Sequence, residues 1–415
     1  MKPLCLIACL LIAPAVPRAA DDFFDRLGEA LTFSASEGRI RARVSGLLDL
    51  EVYDLQHPAA PGVIDTKDRR LFAPRLTTFL DAQLGPRTYA FAQLRVDRGF
   101  DPEASDLRVR FDEYVLRLAP WGGRRLSLQL GKFATVVGNW VNRHGAWTDP
   151  FIVAPLPYDH LTPLWDTQAA PASATLLRWG HVRPGLLATT EAVEKDRRFP
   201  IVWGPSYAIG AAASGQVGYF RYAAEAKLGS LSSRPDAWSH PAEQINHPTV
   251  NVRLGWRPSP MWDFGVSASD GVYLREYAGV SVPAGLSRAS YRQRVIAHDV
   301  AFAWRHVQVW AEIYATRFEI PRIGDGDTIA GYTELRYKFT PQFSGALRWG
   351  RQIYGTIPHL GERVRWGREV SRFELAPAFR FTPHVQLKLH GGLQRGDSGA
   401  RATSRTLASQ LTMRF

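Results

Sequence analysis

From Gly38 to the C-terminal end, polar and apolar residues alternate in stretches of about ten, and helical periodicity is absent. Examples are 39–53 (RIRARVSGLLDLEVY), 219–228 (YFRYAAEAKL), 307–318 (VQVWAEIYATRF), 329–339 (IAGYTELRYKF) and 385–394 (VQLKLHGGLQ). Strand side chains point to opposite faces with period two, so each stretch carries one apolar and one polar face. About nine to eleven residues is also the length with which a tilted strand crosses a bilayer. A sheet edge cannot be left open in hydrocarbon, so such strands must close on themselves. The expected fold is all-β, a transmembrane antiparallel barrel.

The connections support closure. Tight ones rich in Pro or Gly fall at 85–87, 120–124, 181–185, 214–217, 258–260, 305–306, 340–342 and 382–384. Long polar ones fall near 54–70, 99–106, 134–170, 193–205, 229–247, 272–292, 319–327, 353–369 and 395–403. Short periplasmic turns alternating with longer external loops are the habit of outer-membrane barrels. The count is about 18 strands, or 16 if residues 171–192, which alternate poorly, contribute none. Pro74 and Pro377 fall inside proposed strands, where proline lacks a ladder donor and marks a bulge or a strand end. The segment 110–118 (RFDEYVLRL) changes face midway.

Aromatics cluster beside the short turns: Trp121, Trp256, Trp262, Phe264, Phe302, Trp304, Tyr337, Phe339, Phe343, Phe379, Phe381 and Phe415. Aromatic rings prefer the boundary between hydrocarbon and headgroups, so these are read as a girdle. In the closing stretch SQLTMRF, Leu411, Met413 and Phe415 share one face, which makes Phe415 the girdle residue of the last strand.

At the other end, Lys2, an apolar run from Leu4 to Val16 and small residues before Asp21 read as a signal peptide over 1–20. Cys5 and Cys9, the two cysteines of the chain, lie inside it, so the mature protein needs neither disulfides nor a thiol nucleophile. Residues 21–37 form a short periplasmic segment in which Phe23, Phe24, Leu27, Ala30 and Leu31 have amphipathic helical spacing, and 38–415 is the barrel. No later apolar run reaches the roughly 18 to 20 residues of a spanning helix. The formal charge of +12 fits an anionic solute or lipid; for an exported chain, nucleic acid is not an expected partner.

The signal, the strands and the terminal Phe resemble Gram-negative outer-membrane porins over nearly the whole mature chain. Gly131, Lys132 and Phe133, in LQLGKFATVVGNW, are similar to a strand end in porins related to the phosphate-selective group. The resemblance implies a channel embedded in outer-membrane lipid, inserted by the barrel assembly machinery through the strand ending at Phe415, and a homotrimer.

With the apolar faces outward, Arg39, Arg41, Arg43, Asp49 and Glu51 line the lumen on the first strand, and Glu334, Arg336, Lys338, Arg348, Arg372, Glu374, Arg380 and Lys388 on later ones. Arg414 on the last strand joins them through closure, giving a mainly basic wall. Singly, each arginine reads equally as a solvated side chain paired with a neighbouring carboxylate. The loop 138–166 is too long and aromatic for a free excursion. Trp140, Arg143, His144, Trp147, Asp149, Asp159 and Asp166 mark it as a constriction loop folded into the lumen, its aspartates facing the wall across a water gap, where rings of charge set selectivity. The simpler alternative is an external loop packed on itself or on a neighbouring subunit. No nucleophile elbow, zinc-protease motif, phosphate-cradling glycine loop or metal cluster appears, so no catalytic residue, cofactor or metal is expected. His298 and Asp299, as strand neighbours, point to opposite faces. The favoured function is passive diffusion of small polar or anionic solutes. The alternatives are an export conduit for an anionic polysaccharide, or a long-chain hydrophobe transporter.

Overall fold

The computed structural model describes residues 18–56, 69–98, 107–121, 123–181, 197–239, 245–396 and 403–415. The proposed signal up to residue 17 and the turn expected beyond His181 lie outside these residues. Helix α1 (Arg18–Ala30) is followed by a short strand β1 (Thr32–Ala35) that pairs with the next strand.

Sixteen strands then close the barrel. They are β2 (Ile40–Leu55), β3 (Arg70–Leu84), β4 (Thr88–Asp97), β5 (Arg108–Leu118), β6 (Ser127–Phe133), β7 (Ala208–Val217), β8 (Phe220–Lys227), β9 (Thr249–Ser259), β10 (Trp262–Val272), β11 (Arg292–Trp304), β12 (Val307–Ile320), β13 (Gly324–Lys338), β14 (Phe343–Tyr354), β17 (Val370–Arg380), β18 (Val385–Arg395) and β19 (Thr403–Arg414). Between β14 and β17 sits an external hairpin, β15 (Thr356–His359) and β16 (Glu362–Arg365). Each barrel strand pairs antiparallel with its neighbours, and β19 returns to β2 from Thr406↔Leu55 to Arg414↔Leu47. Among the described residues no helix is long and apolar enough to cross a membrane.

The lower strand count has a local cause. One connection, 134–207, joins β6 to β7; α2 (Leu156–Asp159) lies in its first part, and α3 (Ser173–His181) stands within 171–192, where two further strands were counted. The connection expected near 319–327 is tight, only Pro321 to Ile323 lying between β12 and β13, because the alternating faces of both strands run on to Ile320 and Gly324.

The irregularities of the sequence become features of the ladder. The register of β5 shifts at Asp112, so Arg110 and Asp112 face inward before the bulge, and Glu113 and Val115 after it. Such a bulge re-aims a strand without ending it. Pro74 pairs with Leu50 of β2, while pairing with β4 begins only at Leu76, and β17 pairs with β18 on both sides of Pro377 but not at it. In both places the ladder is open where proline has no N–H to give.

The outward face is an apolar belt that includes Leu80, Leu116, Leu130, Val252, Leu254, Ile313 and Leu347, all exposed in the isolated chain. Below it, next to the short turns, aromatic rings pack together: Trp262 tilted against Phe302 at 4.5 Å between centroids, and edge to face Tyr337 with Phe339 at 4.9 Å and Phe379 with Phe381 at 5.0 Å. Phe415 exchanges backbone hydrogen bonds with Gly46, and its ring lies where any side chain at 46 would stand. Near the same end, Phe24 of α1 stacks on His384 in the β17–β18 turn. At the opposite end a hydrophobic core joins the 134–207 connection to the external loops: Leu176, Trp179, Phe199, Trp203, Trp238, Leu274, Ile357 and Trp366 are all buried together.

Candidate functional site

The lumen is built around the 134–207 connection, which leaves β6 and crosses to the far wall. Gly138, with φ +79°, makes the turn against Tyr314 where a side chain would not fit. The next two backbone N–H groups, of Asn139 and Trp140, donate to one carboxylate oxygen of Glu312 on β12 at 2.7 and 2.5 Å. Tyr158 and Tyr314 donate to the other oxygen at 2.6 and 2.9 Å. A buried carboxylate needs such donors to offset lost hydration.

Four further anchors follow along the wall. Arg143 forms a forked pair with Glu334 at 2.7 and 3.2 Å and lies 4.5 Å from the Trp310 ring. Arg348 holds Glu374 at 2.6 and 2.7 Å, donates to the Val153 carbonyl at 2.5 Å and sits over Phe151. Arg372 binds Asp159 at 3.0 and 3.1 Å and the Ala154 carbonyl at 2.5 Å. Lys388 donates to the Asp149 carbonyl at 3.0 Å.

These contacts place the sequence candidates. Glu334, Arg348, Arg372, Glu374 and Lys388 do face the lumen, but they are almost wholly buried. Arg348, Arg372 and Lys388 grip the loop directly and Glu334 holds its Arg143, so of the loop aspartates Asp159 meets the wall in a direct ion pair. Asp159 is ion-paired with Arg372, and Asp166 is paired with Arg234 in the β8–β9 connection at 2.7 and 2.8 Å. Asp149 accepts from the Trp140 indole at 2.7 Å and from the Phe151 N–H at 3.0 Å. Burial pushes both Asp159 and Asp166 up to about 6, against the opposing pull of Arg372 and Arg234 respectively. His144, held between the Val141 carbonyl and the Tyr207 hydroxyl, is lowered by burial.

Trp147 reaches lowest. Its ring lies 4.3 Å from the Arg414 guanidinium and 5.0 Å from that of Arg380. Around it, on the inner faces of β13, β17, β19 and β2, stand Arg336, Lys338, Arg380, Arg414 and Arg43. Arg380 is within electrostatic range of Arg336, Lys338 and Arg414, and Arg43 of Arg414. Among the described residues none of these five forms an ion pair with a carboxylate. Asp81, the cross-strand neighbour of Arg43, accepts instead from the Tyr89 hydroxyl. Arg41 is exposed at the same mouth, and Arg39 lies in the turn ahead of β2 and not on the strand.

Open space remains along the other half of the lumen, β2 to β9. A cavity of about 960 Å³ is lined by Tyr89, Glu113, Arg117, Gln129, Arg221 and Arg253, and a second of about 300 Å³ by Asp49, Arg75, Arg95 and Asp112; both reach His144 and Gly145. Two ladders run down this face. Arg75 bridges Asp49 and Glu51 at 3.1 and 2.5 Å, and Asp112 takes both Arg95 at 2.8 Å and Arg110 at 2.9 Å. Arg75, Arg95, Arg110 and Arg117 were legible from alternation alone, once β3 to β5 are read inward as strictly as β13 to β18. Lys132 donates to the Phe111 carbonyl at 2.8 Å beside the bulge. That contact explains the Gly-Lys-Phe strand end as a local cap, with Gly131 at φ +134° allowing close approach to the Tyr114 carbonyl. Among the described residues no cluster of metal-ligating side chains occurs.

No family model matches the sequence, and no curated protein does. Solved structures match over almost the entire length. OmpF of Salmonella typhi in complex with daunomycin has a TM-score of 0.56 at 11% identity, covering 92% of this chain and 100% of its own. The outer-membrane channel DcaP of Acinetobacter baumannii gives 0.55 at 10% over 92% and 99%. An anion-selective porin from Comamonas acidovorans gives 0.54 at 10% over 91% and 100%. The fold is that of the outer-membrane porins. An apolar belt flanked by an aromatic girdle is the surface that a barrel presents to a lipid bilayer.

Proposed function

We propose that the protein is a passive diffusion channel for small polar solutes with a preference for anions. The reading is carried by the mouth cluster of Arg43, Arg336, Lys338, Arg380 and Arg414, five cations within electrostatic range of one another that, among the described residues, form no ion pair with a carboxylate. Charges of one sign within low-dielectric walls focus the field and concentrate the opposite ion. On the β2–β9 face one arginine meets two carboxylates and one aspartate meets two arginines, so the two clusters offset each other and add little net charge. The 134–207 connection narrows the lumen and favours small solutes over a polymer conduit.

The test is reversal potential in a tenfold KCl gradient across planar bilayers, for the native chain and for Arg336→Gln/Arg380→Gln/Arg414→Gln. A native potential of anion-favouring sign that moves toward zero in the triple variant is expected. A cation-favouring native potential, or no stepwise conductance, overturns the reading.

A further inference from the structure

The smaller cavity of the open half, about 300 Å³, lies between the inner face of β2 to β4 and the 134–207 connection, and its two sides differ in kind. Along the wall, strand pairing sets Arg75 opposite Asp49, then Thr77 opposite Arg95, then Phe79 opposite Gln93, each pair nearer the short turns than the last. On the loop side the lining is aromatic. Trp140, Trp203 and Tyr207 come from the connection and Trp238 from the β8–β9 loop, with the Tyr207 and Trp238 rings edge to face at 5.4 Å between centroids. Phe79 adds an aromatic face on the wall side.

Such a lining does not suit a path for hydrated ions alone. Rings offer little in place of the hydrogen bonds that a solute gives up with its water, whereas a ligand with a flat apolar face gains contact from both sides. Small-molecule pockets have this character, mainly apolar with a few polar groups that fix orientation. The polar groups presented here are cations. The Arg75 and Arg95 side chains keep 25% and 18% of their surface exposed, whereas Asp49 and Asp112, which also line the cavity, keep 1% each. Asp49 is covered by Arg75 at 3.1 Å and the Thr412 hydroxyl at 2.7 Å, and Asp112 by Arg95 and Arg110 at 2.8 and 2.9 Å. A solute therefore meets guanidinium edges and not carboxylates. Arg75 gives one N–H to Asp49 and one to Glu51 and has further donors, and a planar fork of this kind matches a carboxylate.

We infer that this cavity binds an aromatic carboxylate, with the ring between Phe79 and the loop-side rings and the carboxylate on Arg75 and Arg95. The inference rests on the channel reading and narrows its solute class: anions favoured by the field of the mouth are sorted here by the shape of their apolar part. The site lies on the solute's path, since this cavity and the larger one both reach His144 and Gly145. A ligand moving from one to the other passes that pair.

Isothermal titration calorimetry of the full-length chain in detergent micelles with benzoate, acetate and benzamide tests it, because binding is then read without conduction. The native protein should bind benzoate about tenfold more tightly than acetate, which lacks the ring, and than benzamide, which lacks the charge. Phe79→Leu keeps bulk but removes the flat face, and should weaken benzoate about fivefold while leaving acetate unchanged, a split that general loosening of the lumen would not produce. Arg75→Lys/Arg95→Lys keeps a cation beside each buried carboxylate but loses the forks, and should narrow the lead of benzoate over benzamide. In planar bilayers, benzoate should interrupt the native KCl current over the concentration range that saturates the calorimetric signal. A native chain indifferent to the ring or to the charge overturns the site, as does a benzoate preference that both variants keep in full. Bilayers without stepwise current, with the calorimetric preference intact, would overturn the channel reading and leave the site standing.

Discussion

Glu312 holds the loop most directly, so its removal has a calculable effect. Three loop groups, the N–H of Asn139, the N–H of Trp140 and the Tyr158 hydroxyl, donate to its carboxylate. Hydrogen bonds to a charged group contribute roughly 1.5 to 3 kcal/mol each. Three would give roughly 5 to 9 kcal/mol in gross terms, but water entering the lumen restores part of this in Glu312→Ala, leaving about 2 to 4 kcal/mol. At about 1.4 kcal/mol per factor of ten, the population with residues 138–160 lifted from the wall should rise by about 30-fold to 1,000-fold. Single-channel recording should then show a larger mean conductance with added current noise, and hydrogen exchange at Asn139 and Trp140 should quicken. The Arg143–Glu334 and Arg372–Asp159 anchors remain, so the variant barrel should run on semi-native gels as a folded band, as the native chain does. Unchanged conductance together with unchanged exchange would refute the clasp.

Acidification supplies a second test. Because Asp159 and Asp166 are raised to about 6 when folded, their protonated forms are favoured by the fold. Their contribution to stability is fully present below the ordinary carboxylate pKa and is lost as pH rises through about 6. Between pH 7.5 and 5 both gain a proton, the lumen becomes more positive, and the anion-to-cation permeability ratio should increase; Asp159→Asn/Asp166→Asn should abolish that dependence. Deleting 138–166 should enlarge conductance severalfold, and a silent deletion variant with intact barrel spectra would contradict a narrowing loop. Gly46→Leu should displace the Phe415 ring and lower the temperature at which the folded band is lost on semi-native gels, whereas an equally bulky change at exposed Val252 should not.

Alternation made most of the barrel readable, because a lipid-facing surface enforces period two more strictly than a soluble core does. Even the change of face in 110–118 appeared, as the bulge at Asp112. The lumen was less legible for a physical reason. Which inward arginine meets water and which meets the loop is decided by partners such as Asp159 and Arg372, separated by 213 positions. Alternation assigns a side chain to a face but carries no information on such pairs. The stretch 171–181 stayed ambiguous because Leu176, Leu177 and Trp179 are buried against other loops, not against lipid, so helix α3 owes its place to contacts outside its own sequence.

The 134–207 connection, tied to β12, β13, β14, β17 and β18, also acts as a spoke across the cylinder. A hollow sheet resists flattening poorly, whereas one braced at Glu312, Glu334, Arg348, Arg372 and Lys388 has its cross-section set from within. Replacing the loop to alter selectivity would therefore also alter the shape of the tube, unless the wall were redesigned with it.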